Sequence, residues 1–306
     1  MSANGGGTEI FMNEFKTYHP IVNFTYFVLV IGFSMFFMHP LCLAVSLACG
    51  FVYSVMLKGK KAVKTNIAYM LPMLILTAVI NPVFNHEGMT VITYFPNGNP
   101  LTLESVIYGL CAASMLAAVI CHFSCFNEIM TSDKLIYLFG KITPSLSLII
   151  SMTLRFVPRF TSQLKTTADA QKCMGKGVSD GSVIIRAKHG LNILSAMATY
   201  SLENAVETAD SMKSRGFGLK GRTAFSVFAF DRRDKTALIA ITALGAYTFI
   251  GKLCGGMYFR FFPSVKGAEI SLYGISVFIS YLLLCMCPVI IEIREVLRWN
   301  VLRSKI

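Results

Sequence analysis

Six stretches of this chain contain no Asp, Glu, Lys or Arg: 21–38, 41–57, 65–83, 105–126, 236–251 and 270–291. A helix needs about 20 apolar residues to cross the hydrocarbon of a bilayer. The spacing therefore predicts an all-α membrane protein with about six transmembrane helices. Proline cannot continue the helical hydrogen-bond ladder, so His39-Pro40 separates the first two runs into a helical hairpin. Pro72 predicts a kink in the third run. The fifth is the weakest and extends past Lys252. Between the third and fourth, Asn97-Gly98 flanked by apolar residues predicts a small β-hairpin. Composition agrees: the chain is 54% hydrophobic and only 14% charged, against roughly 25% charged in soluble domains.

The net charge of +12 would raise nucleic acid as a partner in a soluble protein. In a membrane protein it reads as cytoplasmic loops rich in Lys and Arg, so no nucleic-acid partner is expected. Segments 58–64, 131–235 and 292–306, with Lys16, hold 25 of the 28 Lys and Arg. Placing them inside leaves Lys252, Arg260 and Lys266 outside. The short loop Lys58–Lys64 is the cleanest witness, and it puts both termini and the long insert in the cytoplasm. The apolar run from Pro144 reaches Arg155 after eleven residues, which predicts an interfacial or buried helix and not a span. No signal peptide is expected, because the first twenty residues lack a basic segment and a small-residue cleavage site. Nine scattered cysteines predict free thiols, not a disulfide framework.

The chain thus divides into 1–127 (spans one to four), 128–234 (a cytoplasmic module of two long amphipathic helices) and 235–306 (two closing spans and a basic tail). The first long helix is expected from about Pro144, capped by Thr143, to Met174. Pro158 bends it, and Gly175 and Gly177 stop it. A loop through Ser179, Asp180 and Gly181 follows. The second helix is expected from Leu191 to Arg215. Leu191, Leu194, Ala198, Leu202, Ala205, Ala209 and Met212 recur at helical spacing on it, an Ala-rich stripe that suits either close packing of the two helices or a partner. Gly216 ends this helix, and Arg215 suits the negative end of its dipole. The first helix ends in a basic, Gly-rich tip as well.

Three segments, "SMTLRFVPRF" (151–160), "DAQKCMGKG" (169–177) and "ADSMKSRGFG" (209–218) followed by "GRT" (221–223), resemble the transmembrane T component of energy-coupling factor (ECF) ABC-type transporters. The order of elements is also similar. The resemblance implies a non-catalytic coupling subunit for vitamin or metal-ion uptake, in a bacterial or archaeal cell membrane. Its implied partners are two cytoplasmic ABC-type ATPases, a substrate-binding S component and membrane lipids. Each coupling helix would end in an Ala-Arg-Gly-like signature that docks on an ATPase. Ser214, Arg215 and Gly216 match it on the second arm. On the first arm the arginine aligns with Met174, before Gly175, and Lys172 or Lys176 would supply the cation. Leu154, Arg155, Phe156 and Pro158 match the family's Leu-Arg-Phe-x-Pro segment. With Leu194, Ala198, Leu202, Ala205 and Ala209 they form the implied coupling surface toward the S component.

Chemistry of the chain's own is not expected. Gly175-Lys176-Gly177 lacks the glycine spacing and Ser/Thr of a phosphate loop, so ATP is expected on partner subunits and no cofactor on this chain. Cys121 and His122 diverge by about 100° on a helix, which disfavours a metal site. His39, at a span end, is expected to reach solvent. The alternative reading is an intramembrane enzyme whose basic insert (Lys172, Lys176, Lys188, Lys213, Arg215) holds an anionic lipid or nucleotide. A proton-coupled carrier is disfavoured by the uncharged spans.

Overall fold

The computed structural model describes residues 14–94, 98–140, 144–179, 182–219, 228–267 and 271–303. In chain order they form α1 (Glu14–Thr17), α2 (Pro20–Phe36), α3 (Pro40–Lys58), α4 (Lys60–Phe84), β1 (Val91–Tyr94), β2 (Pro100–Thr102), α5 (Leu103–Ile129), α6 (Ser132–Gly140), α7 (Pro144–Cys173), α8 (Val183–Ser214), α9 (Arg232–Leu253), β3 (Phe259–Arg260), β4 (Lys266–Gly267) and α10 (Leu272–Arg303). Two compact units result, one from 1–132 with 228–306 and one from 133–227.

The first unit is the membrane bundle. Five of its helices, α3, α4, α5, α9 and α10, are long and apolar enough to cross a bilayer, and α2 is shorter at 17 residues and as apolar. The chain is an all-α membrane protein with two short antiparallel strand pairs, β1–β2 and β3–β4. The first pair is the hairpin expected from the sequence. Gly98, at φ 82°, is in its turn, and Asn97 lies outside the described residues. Helices α4 and α10 exceed their uncharged runs. The basic "KAVK" is already helical, Gly59 at φ 65° alone parting α3 from α4. The basic tail continues α10 as far as Arg303. Polar residues can extend a span once it has left the hydrocarbon, where helix propensity and not hydropathy decides.

Helix α2 supplies much of the core. Val22, Tyr26, Phe27, Val30 and Phe33 are buried among residues of α3, α5, α9 and α10. Both α2 and α3 begin at a His-Pro pair. His19 Nδ1 accepts from the Ile21 N–H at 3.3 Å, and His39 Nδ1 from the Leu41 N–H at 3.2 Å. Imidazole takes the place of the usual capping oxygen, and proline fills the first helical position, where no N–H is needed. His39 is therefore not simply solvated. It caps α3, and its ring meets those of Phe259 and Phe278.

Inside the bundle a polar chain ties four helices. Ser34 Oγ lies 2.6 Å from Ser46 Oγ and 3.4 Å from the Tyr281 hydroxyl, and Ser46 Oγ lies 3.1 Å from His122 Nε2. Where lipid is the alternative to protein, such bonds contribute association that apolar contact alone does not. Cys121 turns instead to Met70, its Sγ 3.4 Å from the thioether sulfur. All nine cysteines are free.

One end of the bundle is fastened by carboxylates. Glu292 of α10 accepts from the Glu14 and Phe15 N–H groups, both at 3.2 Å. Asp234 of α9 accepts from the His19 and Asp231 N–H groups, the latter closing a capping box. Arg233 pairs with Glu14 at 3.6 Å and lies over the Tyr18 ring. Lys16 and Lys58 are at the same end, paired with Glu128 and Ser124. Lys252 is at the other end, donating to the Phe36 carbonyl at 2.6 Å.

Helices α9 and α10 pack through small residues. A Cβ on Gly251 would stand 2.5 Å from Val277 Cγ2 and 2.6 Å from its Cγ1. In the Gly251-x-x-x-Gly255 pattern only the first glycine serves packing. The second, at φ 84°, terminates α9. Val277 is fully buried and β-branched, so it cannot swing away. Gly251→Ala is expected to destabilise the bundle by about 1–3 kcal/mol, seen as a lower unfolding temperature in detergent. Gly32→Ala, inside α2 where no atom lies within 4 Å, is the matched control and should hold or slightly raise that temperature.

Candidate functional site

The second unit is an antiparallel helical hairpin, α7 against α8, preceded by the short α6. Helix α7 runs through Pro158 without a break. Helix α8 starts at Val183, eight residues before the Leu191 expected from the stripe. The added turns hold because they are tied back to the loop that follows α7. Arg186 Nε donates to the Val178 carbonyl at 2.7 Å and His189 Nδ1 to the Gly177 carbonyl at 3.1 Å. Thr143, Asp180, Gly181 and the "GRT" segment lie outside the described residues.

Helices α7 and α8 meet along a seam other than the Ala-rich stripe. On α8 the buried residues are Ile193, Met197 and Asn204, with Tyr200, Thr208 and Met212 half-buried. On α7, Met152, Phe156 and Phe160 turn inward, Phe160 meeting Tyr200 edge-on at 6.2 Å. Isoleucine, methionine and tyrosine bury more apolar area than alanine, so they win the seam. Apart from Met212, which joins the seam, the stripe is left outside. Leu191, Leu194 and Leu202 are 66%, 60% and 71% exposed, and Ala198, Ala205 and Ala209 are exposed as well. Helix α7 carries a second such row in Ile150, Leu154, Val157 and Leu164. At 100° per residue each row lies about 120° from its own seam, in the same rotational sense along its own chain. For antiparallel helices that puts both rows on one face of the hairpin.

The opposite face carries charge. Arg155, Arg159 and Arg215 line a cleft of about 440 Å³ between the start of α7 and the end of α8, together with Glu207, Ser151 and Ser211. Three guanidinium groups and one carboxylate suit a carboxylate or phosphate ligand. The Leu-Arg-Phe-x-Pro segment is thus split. Leu154 joins the apolar face and Arg155 the cleft, Phe156 turns into the seam, stacking on Phe160 at 5.7 Å, and Pro158 is exposed.

Both helices end the same way. Gly175, at φ 71°, donates to the Lys172 carbonyl at 3.0 Å, and Lys176 to the Gln171 carbonyl at 2.9 Å. Gly216, at φ 76°, donates to the Lys213 carbonyl at 2.9 Å, and Phe217 to the Met212 carbonyl at 3.0 Å. This paired pattern satisfies carbonyls that a helix end leaves open, and it needs a left-handed residue, hence glycine. Met174 and Arg215 occupy equivalent places, each just before the glycine. Leu148 shares the cleft with Met212, and from Leu148 to Cys173 the helix rises roughly 40 Å, so the tips stand at opposite ends of the hairpin. The two matched ends were visible in the sequence as Met-Gly and Arg-Gly. The seam was not, because exposed Leu and Ala imitate a core stripe.

No family model matches the chain. It is 36% identical over 94 residues to the energy-coupling factor transporter transmembrane protein EcfT of Lactobacillus helveticus, covering 30% of this chain and 34% of that protein. It is 32% identical over 105 residues to EcfT of Streptococcus thermophilus, covering 34% and 40%. With EcfT of Staphylococcus aureus the identity is 30% over 111 residues, covering 36% and 41%. The chain matches about two-fifths or less of the length of these relatives. Over that third of its sequence it is similar to an ECF transporter transmembrane component.

Alanine at Gly216 would hold an L residue in the left-handed region, at a cost of about 1–2 kcal/mol. Gly216→Ala is expected to fray the last turn of α8, raising hydrogen exchange at the amides of 213–217 about tenfold. Gly190→Ala, inside α8 and facing open space, is expected to slow exchange slightly, since glycine weakens a helix interior.

Proposed function

We propose that this chain is the transmembrane coupling subunit of an energy-coupling factor importer, passing ATP-driven motion of two cytoplasmic ABC-type ATPases to a substrate-binding S component. The observation that carries the reading is the pair of matched glycine-terminated tips at opposite ends of one hairpin, one of them Ser214-Arg215-Gly216. A rigid rod with a docking end at each extremity can span two ATPases and feel the distance between them change. The relatives named above carry the energy-coupling factor designation, which supports the same assignment.

In this reading the charged face and its arginine cleft serve the ATPases, and the apolar face serves the S component. Both termini and the hairpin lie in the cytoplasm of a bacterial or archaeal cell, as the Lys and Arg distribution favours. ATP is bound by the partners. The cargo is a vitamin or metal ion, selected by the S component.

Two substitutions test the division of labour in the co-expressed complex. Arg215→Glu places a carboxylate where a cation docks and is expected to reduce ATPase recovery on purification by at least about tenfold. Leu202→Glu, on the apolar face, is expected to reduce S-component recovery while leaving the ATPases bound. Full ATPase recovery with Arg215→Glu would remove the basis of the assignment.

A further inference from the structure

The two tips share a backbone and differ in the order of their side chains. On the first arm Met174 precedes the left-handed glycine and Lys176 follows it. On the second, Arg215 precedes and Phe217 follows. A cation and an apolar side chain have changed places across glycines whose φ values are 71° and 76°. The remaining positions correspond one to one, Gln171 with Met212, Lys172 with Lys213, Cys173 with Ser214, as the two pairs of carbonyl-capping bonds fix.

That correspondence decides between the two lysines of the first arm. Lys172 has its counterpart in Lys213, which the second tip carries in addition to Arg215. Lys172 is therefore common to both ends and replaces nothing. Lys176 is the cation peculiar to the first tip. The apolar members are surface groups in this chain, Met174 at 60% and Phe217 at 49% exposure, so the two positions flanking each glycine offer one cation and one apolar group outward.

We infer that Lys176 is the docking cation of the first arm, and that the two tips address receptors of opposite order, with the acidic and apolar subsites exchanged. This rests on the coupling reading above, which supplies the ATPases as the docking partners. Cα atoms two residues apart are separated by up to about 7 Å, whereas a charge-assisted hydrogen bond spans about 3 Å. An acidic group set for one tip is thus misplaced for the other. The chemistry differs too: the arginine fork suits a planar bidentate carboxylate, and the lysine ammonium a single point acceptor.

The test uses the complex co-expressed with its ATPases and purified through this chain, with native mass spectrometry reading how much of each ATPase is retained. Lys176→Glu is expected to cut retention of one ATPase about tenfold, and Lys172→Glu to change it less than about twofold. Converting the tip with Met174→Arg and Lys176→Phe together should lose the first arm's own partner. Equal losses from Lys172→Glu and Lys176→Glu would overturn the inference. So would full retention of both ATPases by the converted tip, or a single ATPase species held at both ends of the unaltered chain. Arg215→Glu in parallel keeps the two readings apart: if it spares ATPase binding, the coupling reading itself fails, whereas if it alone disrupts binding, only the role of Lys176 does.

Discussion

A helix that stops in open space must satisfy its last carbonyls without continuing. That requirement shapes both ends of the hairpin. At Gly175 and at Gly216 the chain turns left-handed, folds two N–H groups back onto the final turn and leaves the preceding side chain at the extremity. Had the helix frayed, Met174 and Arg215 would sit on loose strands of chain. Closed in this way, they sit on the end of a rod, and a rod transmits displacement along its length. The coupling role proposed above would depend on that stiffness more than on any single contact the tips make.

The hairpin between the tips is amphipathic as a pair, not as two separate helices. Each helix spends its bulkiest side chains on the seam, then presents an apolar row on one side and the arginine cleft on the other. A hairpin with an apolar flank and a charged flank has two kinds of neighbour available to it at once. In the coupling role proposed above, that division would let one pair of helices serve two partners without either interfering with the other.

Much of this could be read from the residues. The uncharged runs located the spanning helices, because hydrocarbon leaves a chain so little choice. Asn97-Gly98 located the hairpin and Ser-Arg-Gly the second tip. Other features were hidden for reasons that can be named. The Ala-rich stripe has helical period, and periodicity tells which residues share a face without telling what covers it. Val183 to Gly190 fell ahead of the expected start of the second helix, and its first turns are secured by Arg186 and His189, contacts to the loop after α7 that the sequence alone does not display. The His-Pro starts of α2 and α3 were present twice in the sequence, yet histidine is not an ordinary capping residue. Helix α6, only nine residues long, fell below what periodicity can resolve.

The close approach of Gly251 to Val277 reaches beyond packing. With Tyr247 bound to Ser276 at 2.7 Å and Thr248 to Ser280 at 3.2 Å, the last two spans have no room to slide, and they behave as one plank. Asp234 and Arg233 nail the head of that plank to the segment from Glu14 to His19, and Glu292 does so from α10. The chain re-enters the bundle at this head, just ahead of Asp231. Any displacement of that head would, through these bonds, draw on both spans and on the amino-terminal segment together.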